Sequence, residues 1–268
     1  MKLLDGKKVL ISGLANEKSI AWGIARILHE AGAKLAFLCL PSNVRRVTKL
    51  VKRLDSDAVI ACDVRHDDQI QNALNEISAV FLGELNGLVH AVAYANIDDL
   101  GGEFLRVSRE GWNVALEISA YSLVAFTRYA RPLMNRAGGG SIVALTFSGG
   151  ERVVPGYNIM GIAKAALNMS IRYLAYDLGP ENIRVNGVSC GAIRTMSSMM
   201  VEGFDKALQI NRRHSPMLRN ITAEDVSNTA LYFLSDLSSS VTGEILHVEA
   251  GASTLMAPST DHPKYVEI

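Results

Sequence analysis

The segment Val9-Leu-Ile-Ser-Gly13-Leu-Ala-Asn-Glu-Lys-Ser19-Ile-Ala-Trp-Gly23 joins a short apolar run, a turn of small residues and the start of a helical pattern. A run that is apolar on both faces is typical of a strand inside a parallel sheet. The turn after such a strand lets the backbone approach a ligand, and the next helix offers unpaired N–H groups to a phosphate. The segment therefore predicts the first strand and helix of an α/β fold, with a phosphate site at Gly13 and Ser19. An ordinary turn with Ser19 as helix N-cap is the alternative that the segment leaves open.

The same alternation of apolar runs and helical periodicity continues along the chain. Apolar runs predict strands at 9–12, 35–40, 58–62, 87–93, 141–146, 184–188 and 245–248. Helical periodicity predicts helices at 21–31, 44–54, 68–81, 112–134, 157–178 and 224–234. Strands that alternate with helices specify a parallel sheet covered on both sides. We therefore predict a doubly wound, parallel, seven-stranded, Rossmann-like sheet, with residues 1–268 forming a single domain for dinucleotide binding and catalysis.

The composition is that of an ordinary globular protein. Of 268 residues, 49% are hydrophobic and 20% charged, and 27 basic residues balance 27 acidic ones. This balance gives no indication of a nucleic-acid or membrane-surface partner. No apolar run reaches the ~18 residues of a membrane span, and the N-terminus lacks a signal-peptide pattern. The three cysteines have no paired spacing, so we predict free thiols, no metal site and a cytoplasmic location.

Two further strand ends carry residues suited to a nucleotide. Asp63 follows the predicted third strand, and its carboxylate could accept a hydrogen bond from an adenine amino group. The predicted fourth strand ends in the small residues 91–93, which leave room for a ribose. Because ligands of open α/β sheets bind at the carboxyl ends of the strands, these positions converge on one site. The sequence therefore predicts a bound dinucleotide.

A tyrosine and a lysine stand seven positions apart in Pro155-Gly-Tyr157-Asn-Ile-Met-Gly-Ile-Ala-Lys164. If both lie in one helix, seven steps of roughly 100° return to almost the same azimuth, about 10.5 Å further along the axis. A phenol and an ammonium on one face suit a negatively charged oxygen, because the phenol donates a hydrogen bond and the ammonium supplies positive charge. Tyr157 and Lys164 are therefore the candidate catalytic residues.

Taken together, these motifs resemble the short-chain dehydrogenase/reductases, and within them the divergent branch of enoyl-acyl-carrier-protein reductases. Most members of the superfamily leave three residues between the tyrosine and the lysine, whereas this chain leaves six and has Met160 where the others have tyrosine. The motifs that carry the resemblance are Gly13-x-Ala15-x-x-x-Ser19-Ile20-Ala, Cys62-Asp63-Val64, Gly150-Glu-Arg-x-x-Pro155, Tyr157-Asn-x-Met160-x-x-Ala163-Lys164, Ile183-Arg-Val-Asn186, Gly191-Ala-Ile193-Arg-Thr195 and Thr242-Gly-Glu-x-x-His-Val.

The resemblance implies reduction of the carbon–carbon double bond of trans-2-enoyl thioesters with NADH or NADPH. Tyr157 would hydrogen-bond the thioester carbonyl, and Lys164 would hold the ribose of the nicotinamide. The implied cofactor-binding residues are Gly13, Ser19, Ile20, Leu40, Asp63, Val64, Val92, Lys164, Ile193, Arg194, Thr195, Met196 and Ser197. The implied substrate-binding residues are Ala95, Phe147, Tyr157 and Met160. A substrate lid near 195–213 and a homotetramer are also implied.

Some choices stay open at this stage. Arg45 and Arg46 could bind the 2′-phosphate of NADPH, although the family resemblance favours NADH. Glu202 and Asp205 stand where family members often carry basic residues for an acidic carrier protein, so a coenzyme A substrate is an alternative. Reduction of a β-ketoacyl or other carbonyl by the same fold is an alternative reaction, and a non-catalytic nucleotide sensor is an alternative function.

Overall fold

The computed structural model describes residues 2–196, 198–200 and 204–255. Within these residues the strands form one all-parallel, seven-stranded sheet in the order β3-β2-β1-β4-β5-β6-β7. The strands are β1 Lys8–Ser12, β2 Lys34–Cys39, β3 Val59–Ala61, β4 Gly87–His90, β5 Gly140–Thr146, β6 Ile183–Cys190 and β7 Ile245–Val248. The order reverses between β1 and β4, which confirms the predicted doubly wound, Rossmann-like sheet. The crevice at such a reversal is where ligands bind in open α/β sheets.

Helices cover both faces of the sheet. They are α1 Ile20–Glu30, α2 Val44–Val51, α3 Asp67–Val80, α4 Arg109–Leu116, α5 Ser122–Arg136, α6 Ile159–Leu178, α7 Phe204–His214 and α8 Ala223–Leu234. Successive residues of β1 point to opposite faces, as a strand requires. Ile11 packs in the core with α1, α2 and α8, whereas its neighbour Leu10 packs in the core with α3, α5 and α6. This two-sided burial explains the uninterrupted apolar runs of the strands.

Two of the predicted helices differ from the structure. The helix predicted at 112–134 is divided, because a π-helical turn at Glu117–Tyr121 separates α4 from α5. The helix predicted at 157–178 begins at Ile159, because Asn158 has φ 43° and ψ −119° and interrupts the helical backbone. Tyr157 therefore precedes α6, and the prediction that it shares a helical face with Lys164 was wrong.

Smaller differences concern two segments near the carboxyl ends of the strands. β4 ends at His90, so residues 91–93, which were predicted to continue the strand, lie in the loop after it. Part of the segment 195–213 forms helix α7. None of the helices within the described ranges is long and apolar enough to cross a membrane.

Candidate active site

The turn after β1 begins with Gly13. Any side chain at this position would collide with neighbouring backbone atoms. Gly13 has φ 85°, and a Cβ placed on it would overlap the carbonyl group of Ala91, just beyond the end of β4. Its N–H donates to the carbonyl of Leu38 in β2 at 3.1 Å. Gly13 therefore contacts the carboxyl ends of β2 and β4, the two neighbours of β1 in the sheet. The order of the strands reverses here, and the sequence predicted a phosphate site at the same place.

Ser19 stands at the N-cap position of α1, yet its side chain does not cap the helix. Its Oγ accepts hydrogen bonds from the N–H groups of Ala15 at 3.3 Å and Asn16 at 3.0 Å. The hydroxyl therefore closes the turn that follows Gly13. Because no side chain caps α1 and its first turn holds no acidic residue, the N–H groups and the positive end of the helix dipole suit a phosphate. These features fit the pyrophosphate of a dinucleotide.

Lys164 lies in the second turn of α6, and its side chain is buried. Its Nζ donates to the carbonyl of Leu145 in β5 at 2.8 Å, which holds the ammonium at the carboxyl end of the sheet. Burial lowers the pKa of Lys164 to about 8, and the nearby Cys190 opposes this shift. Burial also raises the pKa of the Cys190 thiol to about 12. At neutral pH the site therefore contains a cation and a neutral thiol.

The Tyr157 ring is held between an aromatic side chain and a glycine. Its centroid lies 5.0 Å from that of Phe147, and the two planes are inclined at 78°. A Cβ on Gly149 would lie 2.7 Å from Cδ1 of Tyr157, so only a glycine allows the ring this close. Burial raises the pKa of the Tyr157 phenol, so the hydroxyl keeps its proton at neutral pH and is a hydrogen-bond donor.

The residues predicted to bind substrate are brought together. Ala95 and Tyr157 pack against one apolar cluster that contains Met160. Phe147 contacts the Tyr157 ring edge to face. Ala95, Phe147 and Met160 therefore lie in one region around Tyr157.

Sequence reasoning missed Ser119, which lies in the π-helical turn. Its Oγ accepts from the N–H of Tyr94 at 2.9 Å and donates to the carbonyl of Tyr94 at 3.0 Å. The same oxygen lies 3.8 Å from Sδ of Met160. Ser119 therefore fixes the backbone next to Ala95. No pattern in the sequence indicated this contact, because it depends on the unpredicted π turn.

A second serine of the same helical region holds His90, the last residue of β4. Ser122 Oγ lies 2.8 Å from Nε2 of His90 and donates to the carbonyl of Ile118 at 2.6 Å. His90 is fully buried, and burial, together with the charge of Lys164, lowers its pKa to about 3. The imidazole is therefore neutral at physiological pH, and we assign it a structural role.

The predicted adenine end of the site lies at the ends of β2 and β3. Asp63 follows β3, and its Oδ2 lies 2.5 Å from Nη2 of Arg65, whose hydrogen bonds lower the pKa of the carboxyl group. Val64 is buried in the core, and the side chain of Leu40 is half exposed. The Asp63 carboxylate thus already has a cationic partner, which the sequence analysis did not foresee.

The segment after β6 forms a turn held by hydrogen bonds among its own residues. Ser198 Oγ accepts from the N–H of Thr195 at 2.8 Å and donates to the carbonyl of Ile193 at 2.8 Å. Arg194 forms an ion pair with Asp205 of α7, with Nη2 and Oδ1 2.7 Å apart. Ser197 and Glu202, which the sequence analysis singled out, lie outside the described residues, and Met196 is half exposed. No group of histidine, cysteine or acidic side chains in the described part of the chain could hold a metal ion.

The doubly wound sheet, the closed turn after β1, and the buried lysine and protonated tyrosine that both lie near Cys190 are those of an oxidoreductase of the short-chain dehydrogenase/reductase class. A sequence model of the family described as Enoyl-(Acyl carrier protein) reductase matches residues 13–253. The chain belongs to this family.

Several relatives match almost the whole chain. The enoyl-(acyl-carrier-protein) reductase (NADH) of Bacillus subtilis is 45% identical over 252 residues, which cover 92% of this chain and 96% of the relative. The enoyl-(acyl-carrier-protein) reductase (NADPH) of Staphylococcus aureus is 44% identical over 251 residues, which cover 92% and 97%. The crystal structure of the Bacillus cereus reductase with NADP⁺ and an indole naphthyridinone superposes with a TM-score of 0.92 at 45% identity, covering 96% of this chain and 100% of that one.

Proposed function

We propose that this protein reduces the carbon–carbon double bond of trans-2-enoyl thioesters in fatty-acid synthesis. The observation that carries the proposal is that a protonated phenol, Tyr157, and a buried ammonium, Lys164, both lie near Cys190 at the carboxyl end of the sheet. When bound, the nicotinamide cofactor supplies a hydride for the β-carbon of the substrate. The relatives named as enoyl-(acyl-carrier-protein) reductases support the choice of reaction.

Tyr157 stabilises the charge that develops on the substrate. Addition at the β-carbon moves electron density to the thioester carbonyl oxygen, which acquires enolate character. A phenol hydrogen bond aimed at this oxygen is stronger in the transition state than in the ground state, and therefore accelerates the reaction. Contacts with Phe147 and Gly149 restrict the ring, so little reorganisation is needed during the reaction.

Lys164 binds and orients the cofactor. The carbonyl of Leu145 accepts one hydrogen bond from the ammonium group, which leaves the other N–H groups available for the hydroxyls of the nicotinamide ribose. Fixing the ribose sets the face of the nicotinamide that is turned toward the substrate. The Lys164 ammonium and the Tyr157 phenol both lie near Cys190, so we place the buried positive charge on the same side of the site as the substrate oxygen.

The remaining residues divide between the two ligands. We assign the pyrophosphate to Gly13, Ser19 and Ile20, and the adenosine to Leu40, Asp63, Val64 and Val92. We assign the nicotinamide end to Lys164, Ile193, Arg194, Thr195, Met196 and Ser197. We assign the substrate to Ala95, Phe147, Tyr157 and Met160, with the segment 195–213 as a lid over it and the chain acting as a single domain.

We propose NADH as the cofactor, with NADPH as a second substrate. Arg46 donates to Oδ1 of Asn43 at 2.6 Å, which holds its guanidinium near the start of α2, where it is exposed. A cation there tolerates a 2′-phosphate, so we do not expect NADPH to be rejected. Relatives named for NADH and a relative named for NADPH are similarly identical to this chain, which agrees with use of both cofactors.

We propose that the acyl group arrives on acyl carrier protein, with coenzyme A thioesters as poorer substrates. Asp205 is paired with Arg194, which offsets its negative charge. On the same helix Lys206, Arg212 and Arg213 are exposed and could meet an acidic carrier.

A cytoplasmic location agrees with the free thiols at Cys39, Cys62 and Cys190, which are typical of a reducing compartment.

A spectrophotometric assay tests the proposed reaction. With crotonyl and longer enoyl thioesters we expect the absorbance of NADH to fall, and kcat/KM to be higher on carrier protein than on coenzyme A. The preference for carrier protein should shrink as salt is added, because opposite charges at long range are screened. Turnover of acetoacetyl thioester without turnover of crotonyl thioester would instead identify a carbonyl reductase. Cofactor binding without turnover of either would identify a nucleotide sensor.

We propose a homotetramer in which the outer face of α6 packs against a second copy. Tyr173 and Tyr176 are 67% and 82% exposed on this helix, and Met169 is 49% exposed. Such large apolar side chains on one helix are typical of a protein–protein interface. We expect light scattering to give four times the 29.0 kDa chain mass for the parent protein. The variant Tyr173→Glu/Tyr176→Glu should give a lower mass, and an unchanged mass would contradict this interface.

A further inference from the structure

One residue with unusual backbone geometry separates Tyr157 from helix α6. Asn158 has φ 43° and ψ −119°, which glycine adopts at the first central position of a type II′ turn and L-residues rarely adopt. Asp55 and Asn182 also have positive φ, but their ψ values of 32° and 30° belong to the ordinary left-handed region. A conformation such as that of Asn158 persists only where surrounding contacts hold it, and such residues cluster at functional sites.

Helix capping does not explain this geometry. Asn158 occupies the N-cap position of α6, but its side chain makes no hydrogen bond to the first turn. Its Nδ2 instead donates to the carbonyl of Gly101 at 2.6 Å. The N–H of Gly101 in turn donates to the carbonyl of Gly156 at 2.8 Å. These two hydrogen bonds join the residues on either side of Tyr157 to the same residue, Gly101.

Gly101 lies in the segment between β4 and α4, which lines the substrate side of the site. Asp99 accepts a hydrogen bond from the N–H of Ser108, the N-cap of α4, at 2.6 Å. Leu100 packs against the same cluster as Tyr157 and Ala95. Gly101 is therefore part of an anchored segment, and Asn158 is the side chain that connects Tyr157 to it.

We propose that Asn158 is a positioning residue that aims the Tyr157 hydroxyl at the carbonyl oxygen of the substrate. This inference rests on the enoyl reduction proposed above. Because Asn158 interrupts the helix, Tyr157 lies before α6 and its ring packs against Phe147. Without the hydrogen bond to Gly101, residue 158 can relax toward helical angles, and each residue added to the helix turns the chain before it by roughly 100°. The phenol would then leave its position against Phe147.

A double-mutant cycle tests the proposal. Asn158→Asp keeps the shape of the side chain but removes the donor to Gly101, and we expect kcat to fall by about tenfold while the KM for NADH changes by less than about twofold. In the Tyr157→Phe background the same substitution should change kcat by less than about twofold, because no hydroxyl is left to position. An equal loss of kcat in both backgrounds would overturn the proposal, as would unchanged kcat in Asn158→Asp alone.

Asn182 supplies a matched control at the amino end of the strands, opposite the end that carries the site. It has φ 57°, and its Nδ2 donates to the carbonyl of Gly138 at 3.0 Å, just before β6. Asn182→Asp should therefore lower Tm without changing kcat. If Asn158→Asp does not fold, Asn158→Gly replaces it in the cycle, because glycine tolerates the backbone angles and removes only the hydrogen bond. We expect a loss of kcat that again depends on the Tyr157 hydroxyl, and its absence would count against the proposal.

A measurement without turnover separates this inference from the proposed function. With 3-fluorotyrosine at position 157 alone, we expect one sharp ¹⁹F resonance in the parent protein. The resonance should shift or broaden in Asn158→Asp and stay unchanged in Asn182→Asp. An unchanged spectrum in Asn158→Asp would overturn the positioning role whether or not the protein reduces enoyl thioesters, whereas absence of enoyl reduction by the parent would overturn the proposed function alone.

Discussion

Replacement of Tyr157 by phenylalanine is expected to lower kcat for enoyl thioester reduction by about 10²- to 10³-fold, the usual loss when one hydrogen-bond donor to a developing oxyanion is removed. The ring should stay in place, because its packing against Phe147 and Gly149 involves no hydroxyl. The Tyr157 hydroxyl is the group that we assign as hydrogen-bond donor to the carbonyl oxygen of the substrate. Stopped-flow measurement of NADH oxidation with a saturating enoyl thioester gives kcat directly.

The affinity of Tyr157→Phe for NADH distinguishes a role of the hydroxyl in substrate binding from a role in holding the structure of the site. We expect the Kd of NADH for Tyr157→Phe, measured by fluorescence titration, to stay within about twofold of the parent value, because the phenol is assigned to the substrate. Tyr232→Phe on α8 is a matched control, because it removes a hydroxyl that makes no hydrogen bond within the described residues. Loss of cofactor affinity in Tyr157→Phe equal to the loss of turnover would contradict the assignment.

Replacement of Lys164 by alanine is expected to weaken binding of NADH itself. The ammonium is assigned two hydrogen bonds to ribose hydroxyls, and charged hydrogen bonds contribute about 1.5–3 kcal/mol each. We therefore expect the Kd of NADH to rise by at least about tenfold in Lys164→Ala. Lys34→Ala, at the amino end of β2 and exposed, should bind NADH like the parent. Parental affinity in Lys164→Ala would show that the ammonium does not hold the cofactor.

The buried ammonium also predicts two opposite responses to pH. Burial lowers the pKa of Lys164 to about 8 from an unperturbed value of 10.5, so the cationic form that binds ribose is lost as pH rises through 8. The affinity for NADH should fall over that range. Between pH 8 and 10.5 the unfolded chain retains a proton on this lysine that the folded chain has released, so the contribution of Lys164 to the free energy of unfolding rises with pH. Lys164→Ala should lack both responses.

The general plan of the sheet could be predicted from the sequence because each strand is buried on both faces. Runs such as Val9-Leu-Ile stand out against the polar turns that follow them, and all seven predicted strands are present within a few residues of their predicted bounds. The end of β4 was placed too late because residues 91–93 are small and apolar, and composition alone does not show that they leave the sheet. They lie instead in the loop beside Gly13.

The details of the site could not be predicted, because they depend on contacts between distant parts of the chain. Asn158 interrupts α6 through a bond to Gly101, 57 positions earlier, whereas the local pattern around Tyr157 favours a continuous helix. The hydroxyl of Ser19 closes a loop, although its position before α1 is equally typical of an N-cap. Ser19 was predicted as a site residue without its bonding partner, whereas Asn158 was given no role by the sequence, because its contact with Gly101 is not apparent there.

The π-helical turn at Glu117–Tyr121 has a consequence for how this protein can evolve. Ser119 hydrogen-bonds the backbone of Tyr94, and Ser122 hydrogen-bonds the ring of His90. Two serines three positions apart therefore contact the end of β4 and the loop after it at two separate points. Deleting one residue from the turn would rotate α5 by roughly 100° relative to α4 and release at least one of these contacts. Substitutions are compatible with this arrangement wherever the serines remain. Insertions and deletions within the turn at 117–121 are not, so the length of this turn is constrained as strictly as its serines.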